Sequence, residues 1–137
     1  MGNWGIKSYE NDDAADALDA GFDRVHGAAY EALMDDRNPL AFDQVQQQLA
    51  SPETLAAAID ALSAAVGLPF DQWDDLARLA FAGVVVRHAE CGVALPADVR
   101  AQTLDCLEHE DIDWQDATRR RLRREREIAL LQRMART

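Results

Sequence analysis

The stretch that decides the fold is DDAADALDAGFDRVHGAAYEALM, residues 12–34. Its apolar residues fall four, three, four and four positions apart, the spacing of one face of an α-helix. These residues are Leu18, Phe22, Val25, Ala29 and Leu33. Gly21 and Gly27 weaken the helix locally and leave room for a close neighbour. The stretch therefore predicts an amphipathic helix that buries one face against the rest of the chain.

Five further helices are predicted downstream, bounded by proline and glycine. Proline suits the first position of a helix and glycine its end. The second helix starts at Asn38-Pro39 and passes through Leu40, Val45 and Leu49, the third runs from Ser51-Pro52 to Gly67, the fourth from about Asp71 to Cys91 before Gly92, the fifth from Pro96 to about His109, and the last from Asp113 towards Met134. Residues predicted to face inward include Leu76, Leu79, Ala80, Gly83 and Val84 of the fourth helix and Leu122, Ile128 and Leu131 of the last.

We therefore predict one all-α domain over residues 1–137, a bundle of about six helices. A short extended arm, residues 1–11, precedes the bundle, and residues 113–137 form a basic C-terminal helix. The chain is long enough to bury a core without a metal or disulfide.

The N-terminal residues 1–16, MGNWGIKSYENDDAAD, form a distinctive pattern. Glycines on either side of the tryptophan allow the arm to bend and place the indole on the body of the domain. We expect the tyrosine to be a second anchor and Asn11 or Asp12 to cap the first helix. The residues of this pattern with a predicted structural role are Gly2, Trp4, Gly5, Tyr9, Asn11, Asp12 and Asp16.

This pattern resembles that of a bacterial domain-of-unknown-function family of small proteins. Its members begin Met-Gly-x-Trp-Gly, continue with an aromatic residue and then carry Asn-Asp-x-Ala-x-Asp. The resemblance covers residues 1–16 of the 137. Since the family has no established activity, the resemblance implies no ligand, cofactor or reaction.

The charge is unevenly distributed along the chain. Residues 1–116 contain 6 Lys and Arg against 23 Asp and Glu, a net charge of −17, whereas residues 117–137 contain 8 against 2, a net charge of +6. The acidic body argues against nucleic acid as the main partner, because contacts with phosphate need Lys and Arg. It suits a basic protein partner.

The N-terminal residues and the cysteines predict the cellular compartment of the protein. The N-terminus lacks the basic and apolar regions of a targeting peptide, and the chain has only two cysteines. No apolar run approaches the roughly 18 residues that cross a bilayer. These features predict a cytoplasmic protein with no membrane span.

Two pairs of potential zinc ligands stand at helical i, i+3 spacing: His88 with Cys91, and Cys106 with His109. If the fourth and fifth helices form an antiparallel hairpin, the two pairs are offset by about 14 Å at ~1.5 Å per residue, too far to share one ion. We therefore expect buried cysteines and partly exposed histidines rather than a metal site, and we predict no cofactor.

A second candidate is the acidic face of the first helix. Asp12, Asp16, Asp19 and Asp23 form a stripe along one side of it. Such a stripe could hold Ca²⁺ or Mg²⁺ weakly, but a solvated face that contacts a partner is the preferred interpretation. The sequence predicts no catalytic residue, since each of the three histidines lies in a helical pattern and no nucleophile motif is present.

The basic run of the last helix contains Arg119, Arg120, Arg121, Arg123 and Arg124. It could bind nucleic acid or an acidic partner. Because the rest of the chain is strongly acidic, we favour a helix that packs against the acidic part of its own chain, or that is swapped between two copies in a homodimer.

Three functions remain open from the sequence. The first is a non-enzymatic, acidic protein-interaction module, such as an immunity protein or antitoxin that masks a basic toxin by charge complementarity. The alternatives are a metal-binding protein or metal-dependent hydrolase that uses the first-helix carboxylates or the Cys/His pairs, and a nucleic-acid-associated protein that uses the basic helix.

Overall fold

The computed structural model describes residues 5–35, 41–111 and 116–134. Within these ranges the chain forms seven α-helices and one 3₁₀ turn, with no β-strand. The helices are α1 (Asp12–His26), α2 (Ala28–Leu33), α3 (Phe42–Leu49), α4 (Pro52–Val66), α5 (Asp75–Glu90), α6 (Ala97–Glu108) and α7 (Ala117–Met134), and the 3₁₀ turn is Phe70–Gln72. The predicted all-α fold is confirmed.

Helices α1, α4 and α5 begin where a short polar side chain accepts one of the first backbone N–H groups. The side chain of Asn11 accepts from the N–H of Ala14 at 2.9 Å, so of the two predicted caps, Asn11 and Asp12, the structure has Asn11. Ser51 and Thr54 form a reciprocal capping box around Pro52, the first residue of α4. The side chain of Asp74 caps α5, so this helix begins later than Asp71.

Helix α5 is the centre of the bundle. Its residues from Leu79 to Ala89 are all buried, and it packs against α1, α4, α6 and α7. Helix α1 lies across α4 at close range: a Cβ atom added at Gly21 would lie 2.8 Å from the backbone nitrogen of Ala58. The glycine therefore permits the contact that the sequence predicts for it.

The predicted helix over residues 12–34 is broken in two. Gly27 has a φ of +51°, a value that favours glycine; it ends α1, and α2 starts at the next residue, Ala28. The periodic face does not continue across this break: Ala29 is exposed, contrary to the prediction, and Tyr30 is buried instead. Val25, also predicted to face inward, is exposed near the end of α1.

Two other residues predicted to face inward lie on the surface. Leu76 is 56% exposed in the first turn of α5, and Leu122 is 59% exposed on α7. The inward face of α7 passes through Arg120, Glu127 and Leu131 instead. The predicted start of the second helix at Asn38-Pro39 and the predicted cap at Asp113 lie outside the described residues.

Candidate functional site

A buried ionic network joins the N-terminal arm to α5, α7 and the segment after α6. Its centre is Arg120, whose side chain is wholly inaccessible to solvent. The guanidinium donates to both carboxylate oxygens of Glu110, with Nη2 2.5 Å from Oε1 and Nε 3.0 Å from Oε2. Its Nη1 atom donates to Glu127 and to the carbonyl of Ile6, each at 3.0 Å. Hydrogen bonds and charge from the two glutamates outweigh burial and keep the pKa of Arg120 above its ordinary value.

Glu127 is equally buried and is fully satisfied as an acceptor. Its Oε2 atom accepts from the backbone N–H of Ser8 at 3.0 Å and from the Ser8 hydroxyl at 2.9 Å. The same oxygen accepts from Nε of Arg123 at 3.1 Å. A buried charge is tolerated only when it is paired and hydrogen-bonded, and both conditions are met here. The arm is thus fixed to α7 by a carboxylate.

The network continues through Glu90 at the end of α5. This carboxylate accepts from Arg123 at 2.6 Å and from the Tyr9 hydroxyl at 2.7 Å. Burial alone would raise the pKa of Glu90, but these two hydrogen bonds and the charges of Arg123 and Arg87 lower it overall. Burial and the bond to Glu90 also raise the pKa of the Tyr9 phenol. Glu90 is therefore ionised at neutral pH.

The glutamates of this network are not among the residues predicted from the sequence. One signal was available within α7: residues 120, 124, 127 and 131 are spaced four, three and four apart, so Arg120 and Glu127 share a face with the buried Leu131. Glu90 and Glu110 come from other segments, and no local spacing marks them. Only the fold brings these residues together.

The basic run therefore divides between the interior and the surface. Arg120 and Arg123 pair with glutamates of the same chain, while Arg124 lies 3.5 Å from the carbonyl of Leu107. Arg119 is exposed and lies 3.4 Å from Asp116, and Arg121 is exposed. The five predicted basic-helix residues do not form one continuous cationic surface.

The four candidate zinc ligands lie at opposite ends of α5. Cys106 and His109 line a small cavity of about 140 Å³ with Asp75 and Arg78 from the start of α5. His88 and Cys91 lie at its other end. Within residues 5–35, 41–111 and 116–134 no group of three or more His, Cys, Asp or Glu side chains is placed to hold a metal.

The individual environments of these residues differ as well. His88 is buried, with Nδ1 2.9 Å from the carbonyl of Val84 and Nε2 2.8 Å from the Thr54 hydroxyl. His109 is exposed beside Asp105 at 3.1 Å. Burial raises the pKa of Cys106 to about 11, so this thiol stays protonated and unreactive at neutral pH.

The acidic stripe of α1 lies in solvent. Asp12, Asp16, Asp19 and Asp23 are all exposed, and the Tyr30 hydroxyl donates to Asp19 at 2.5 Å. Of the N-terminal pattern, Gly5 and Tyr9 are partly buried and Asn11 is the helix cap. Gly2 and Trp4 lie outside the described residues.

Comparisons with family models, curated proteins and solved structures find no match for this chain. Across the parts of the chain that the structure describes, no helix is both long and apolar enough to traverse a bilayer. The function is therefore inferred from the chemistry of the residues in the site itself.

Proposed function

We propose that this protein is a non-enzymatic interaction module that holds a basic protein partner against the exposed acidic face of α1. The observation that carries the proposal is the division of charge between interior and surface. Arg120 and Arg123, in the middle of the basic run, turn inward onto glutamates, while the four α1 aspartates face solvent.

The division of charge favours protein over nucleic acid as the partner. Nucleic-acid affinity grows with the number of cations that reach phosphates. The inward pairing removes Arg120 from the surface, and the charge of Arg123 is offset by Glu90 and Glu127. The chain as a whole carries a net charge of −11. A net negative charge attracts a basic protein and disfavours an extended polyanion such as nucleic acid.

The chemistry of the candidate catalytic groups supports a binding role rather than an enzyme. A cysteine nucleophile needs a lowered pKa, but the pKa of Cys106 is raised. The His88 ring is buried and both of its nitrogens face protein partners, so it is poorly placed to exchange protons with a substrate.

An immunity protein or antitoxin is the class that best fits a small acidic binding module. Such a protein covers the basic surface of a nuclease or toxin, and complementary charge speeds the encounter and selects the partner. A reading frame for a basic toxin beside this gene would support the proposal. Membership of the family that residues 1–16 resemble would leave it unchanged, because no activity accompanies that family.

The test is affinity capture from an extract of the cells that make the protein. The α1-face variant replaces the stripe with amides: Asp12→Asn, Asp16→Asn, Asp19→Asn and Asp23→Asn. The control variant removes four exposed carboxylates elsewhere: Glu53→Gln, Asp60→Asn, Asp98→Asn and Glu108→Gln. Both variants change the net charge by the same amount. Comparing them therefore distinguishes binding by the α1 face from attraction by the overall negative charge.

We expect the wild type and the control variant to capture the same basic protein at 150 mM salt, and the α1-face variant to lose it. Circular dichroism and thermal unfolding of each variant check that the fold is kept. Equal capture by the two variants would contradict the proposal, as would capture of nucleic acid alone.

A further inference from the structure

We propose that a cationic cleft between the N-terminal arm, α5 and α7 is a binding site for a compact phosphoryl anion, with inorganic pyrophosphate as its simplest form. The cleft has a volume of about 440 Å³, within the range of small-molecule sites. Five cationic side chains line it, in a chain whose net charge is −11. They are Lys7, Arg87, Arg123, Arg126 and Arg133.

The cleft is assembled from three separate segments of the chain. Lys7 comes from the arm, Arg87 from α5 and the other three arginines from α7. On α7 the lining residues 123, 126, 130 and 133 are spaced three, four and three apart, so they share one face of the helix. This face lies beside the one that carries Arg120 and Glu127 inward.

The ionic network makes the inner part of the cleft rigid. Arg87, only 6% exposed, donates to Gln46 at 2.5 Å, and Arg123 is held by Glu90 and Glu127. Pre-positioned guanidinium groups lose little freedom when an anion binds, which favours affinity. The network thus supports two cations of the cleft before any ligand arrives.

The outer cations are not neutralised by the protein. Glu90 is the one carboxylate among the described lining residues, and Tyr9 and Arg123 already donate to it. Arg126 and Arg133 are exposed, and neither forms an ion pair with a carboxylate in the described parts of the chain. The cleft therefore holds excess positive charge that faces solvent.

The excess charge indicates the class of ligand. A single carboxylate brings one negative charge, whereas a diphosphate brings several, and its oxygens match the fork of an arginine. The Tyr9 ring is not free to stack on a nucleobase: Lys7, Arg87 and Arg123 already lie 5.7, 5.7 and 5.9 Å from its centre. Recognition is thus expected to involve the anionic group itself.

The site is independent of the acidic face of α1. Its residues come from the arm, α5 and α7, and none belongs to α1. Failure of pyrophosphate binding would leave the proposed protein partner untouched, and loss of the partner in the α1-face variant would leave the cleft intact.

Isothermal titration calorimetry of the full chain with pyrophosphate, and separately with orthophosphate, tests the assignment. The cleft variant is Arg126→Gln with Arg133→Gln, both exposed residues outside the buried network. The matched control is Arg119→Gln with Arg121→Gln, which removes the same charge from the same helix away from the cleft.

For the wild type we expect saturable binding of one pyrophosphate with a dissociation constant below about 1 mM, tighter than for orthophosphate. The cleft variant should lose at least about tenfold in affinity, while the control should stay within about twofold. Absence of saturable binding, or an equal loss in both variants, would overturn the assignment. Tighter binding of a 20-nucleotide RNA, lost in the cleft variant, would replace it with a nucleic-acid site.

Discussion

Nη1 of Arg120 donates to Oε1 of Glu127 at 3.0 Å, and both side chains are shielded from solvent although they belong to the most basic helix of the chain. The pair lies seven residues apart on one face of α7, where Leu131 is also buried. Removing one partner of such a pair leaves an uncompensated charge in the interior. Helix α7 is therefore integrated into the fold by charges as well as by apolar side chains.

Loss of Glu127 should be strongly destabilising. Glu127→Ala leaves Arg120 with one carboxylate fewer and removes the acceptor of the Ser8 N–H and hydroxyl. We expect the free energy of unfolding to fall by about 3–5 kcal/mol in urea titrations. Glu125→Ala, an exposed glutamate on the same helix, should change it by less than about 0.5 kcal/mol. If the two substitutions lower the free energy of unfolding equally, the buried network contributes no more stability than an exposed glutamate.

The stability of the protein should depend on His88 between pH 7.5 and 5.5. Burial and the charge of Arg87 lower the pKa of His88 against the opposing hydrogen bond to Val84. The unfolded chain, with a histidine pKa of about 6.5, then binds the proton more readily than the folded chain. The contribution of His88 is thus fully present above about pH 6.5 and is lost as the pH falls below it, at no more than about 1.4 kcal/mol per pH unit.

Chemical unfolding at several pH values checks this prediction. His88→Gln should flatten the curve of unfolding free energy against pH in this window, even though it lowers stability at pH 7.5. His109→Gln, which changes an exposed histidine, should keep the slope of the wild type. A His88→Gln curve parallel to that of the wild type would assign the pH dependence to other groups.

Gly83 should not tolerate a side chain, although alanine favours helices. Replacing glycine by alanine in a helix normally stabilises it by about 1 kcal/mol. A Cβ atom at Gly83 would collide with the backbone of Ser8 and Tyr9 in the arm. We therefore expect Gly83→Ala to destabilise the protein by about 1–3 kcal/mol in urea titrations. A stabilising effect would mean that the arm does not lie against α5.

The two cysteines should differ in reactivity. Cys106 is buried with a pKa of about 11, whereas Cys91 is partly exposed at the end of α5. In native protein at pH 8, iodoacetamide should alkylate Cys91 first and reach Cys106 only after denaturant is added. Peptide mass spectrometry distinguishes the two sites. Equal labelling rates in the native state would contradict the burial of Cys106.

Local sequence signals predicted the helices well but not every face that they bury. The cap at Asn11, one of the two residues predicted for it, the helix start at Ser51-Pro52 and the helix end at Gly67 depend on residues close in sequence, and the structure has all three. Leu122 is apolar and is therefore predicted to face inward, yet the buried face of α7 carries Arg120 and Glu127. An apolar pattern cannot identify a helix whose buried face is ionic.

The buried network could be predicted only in part, because a sequence shows the spacing of residues within one helix but not which distant segments meet. The spacing of Arg120 and Glu127 within α7 is visible in the sequence, but Glu90 and Glu110 are supplied by distant segments. Likewise the cleft depends on Lys7, Arg87 and Arg126 meeting across three segments. Charge counts along the chain showed that the last helix is basic, but not which of its arginines are already paired.

The most direct test of the central claim is the affinity of the captured basic protein for the wild type, the α1-face variant and the control variant, measured by surface plasmon resonance at 50 and 300 mM salt. We predict that neutralising the α1 stripe weakens binding at least about tenfold at 50 mM salt, mainly through slower association, with a smaller loss at 300 mM. The control variant should stay within about threefold of the wild type. Unchanged affinity of the α1-face variant, or the same loss in both variants, would contradict the claim that this face holds the partner.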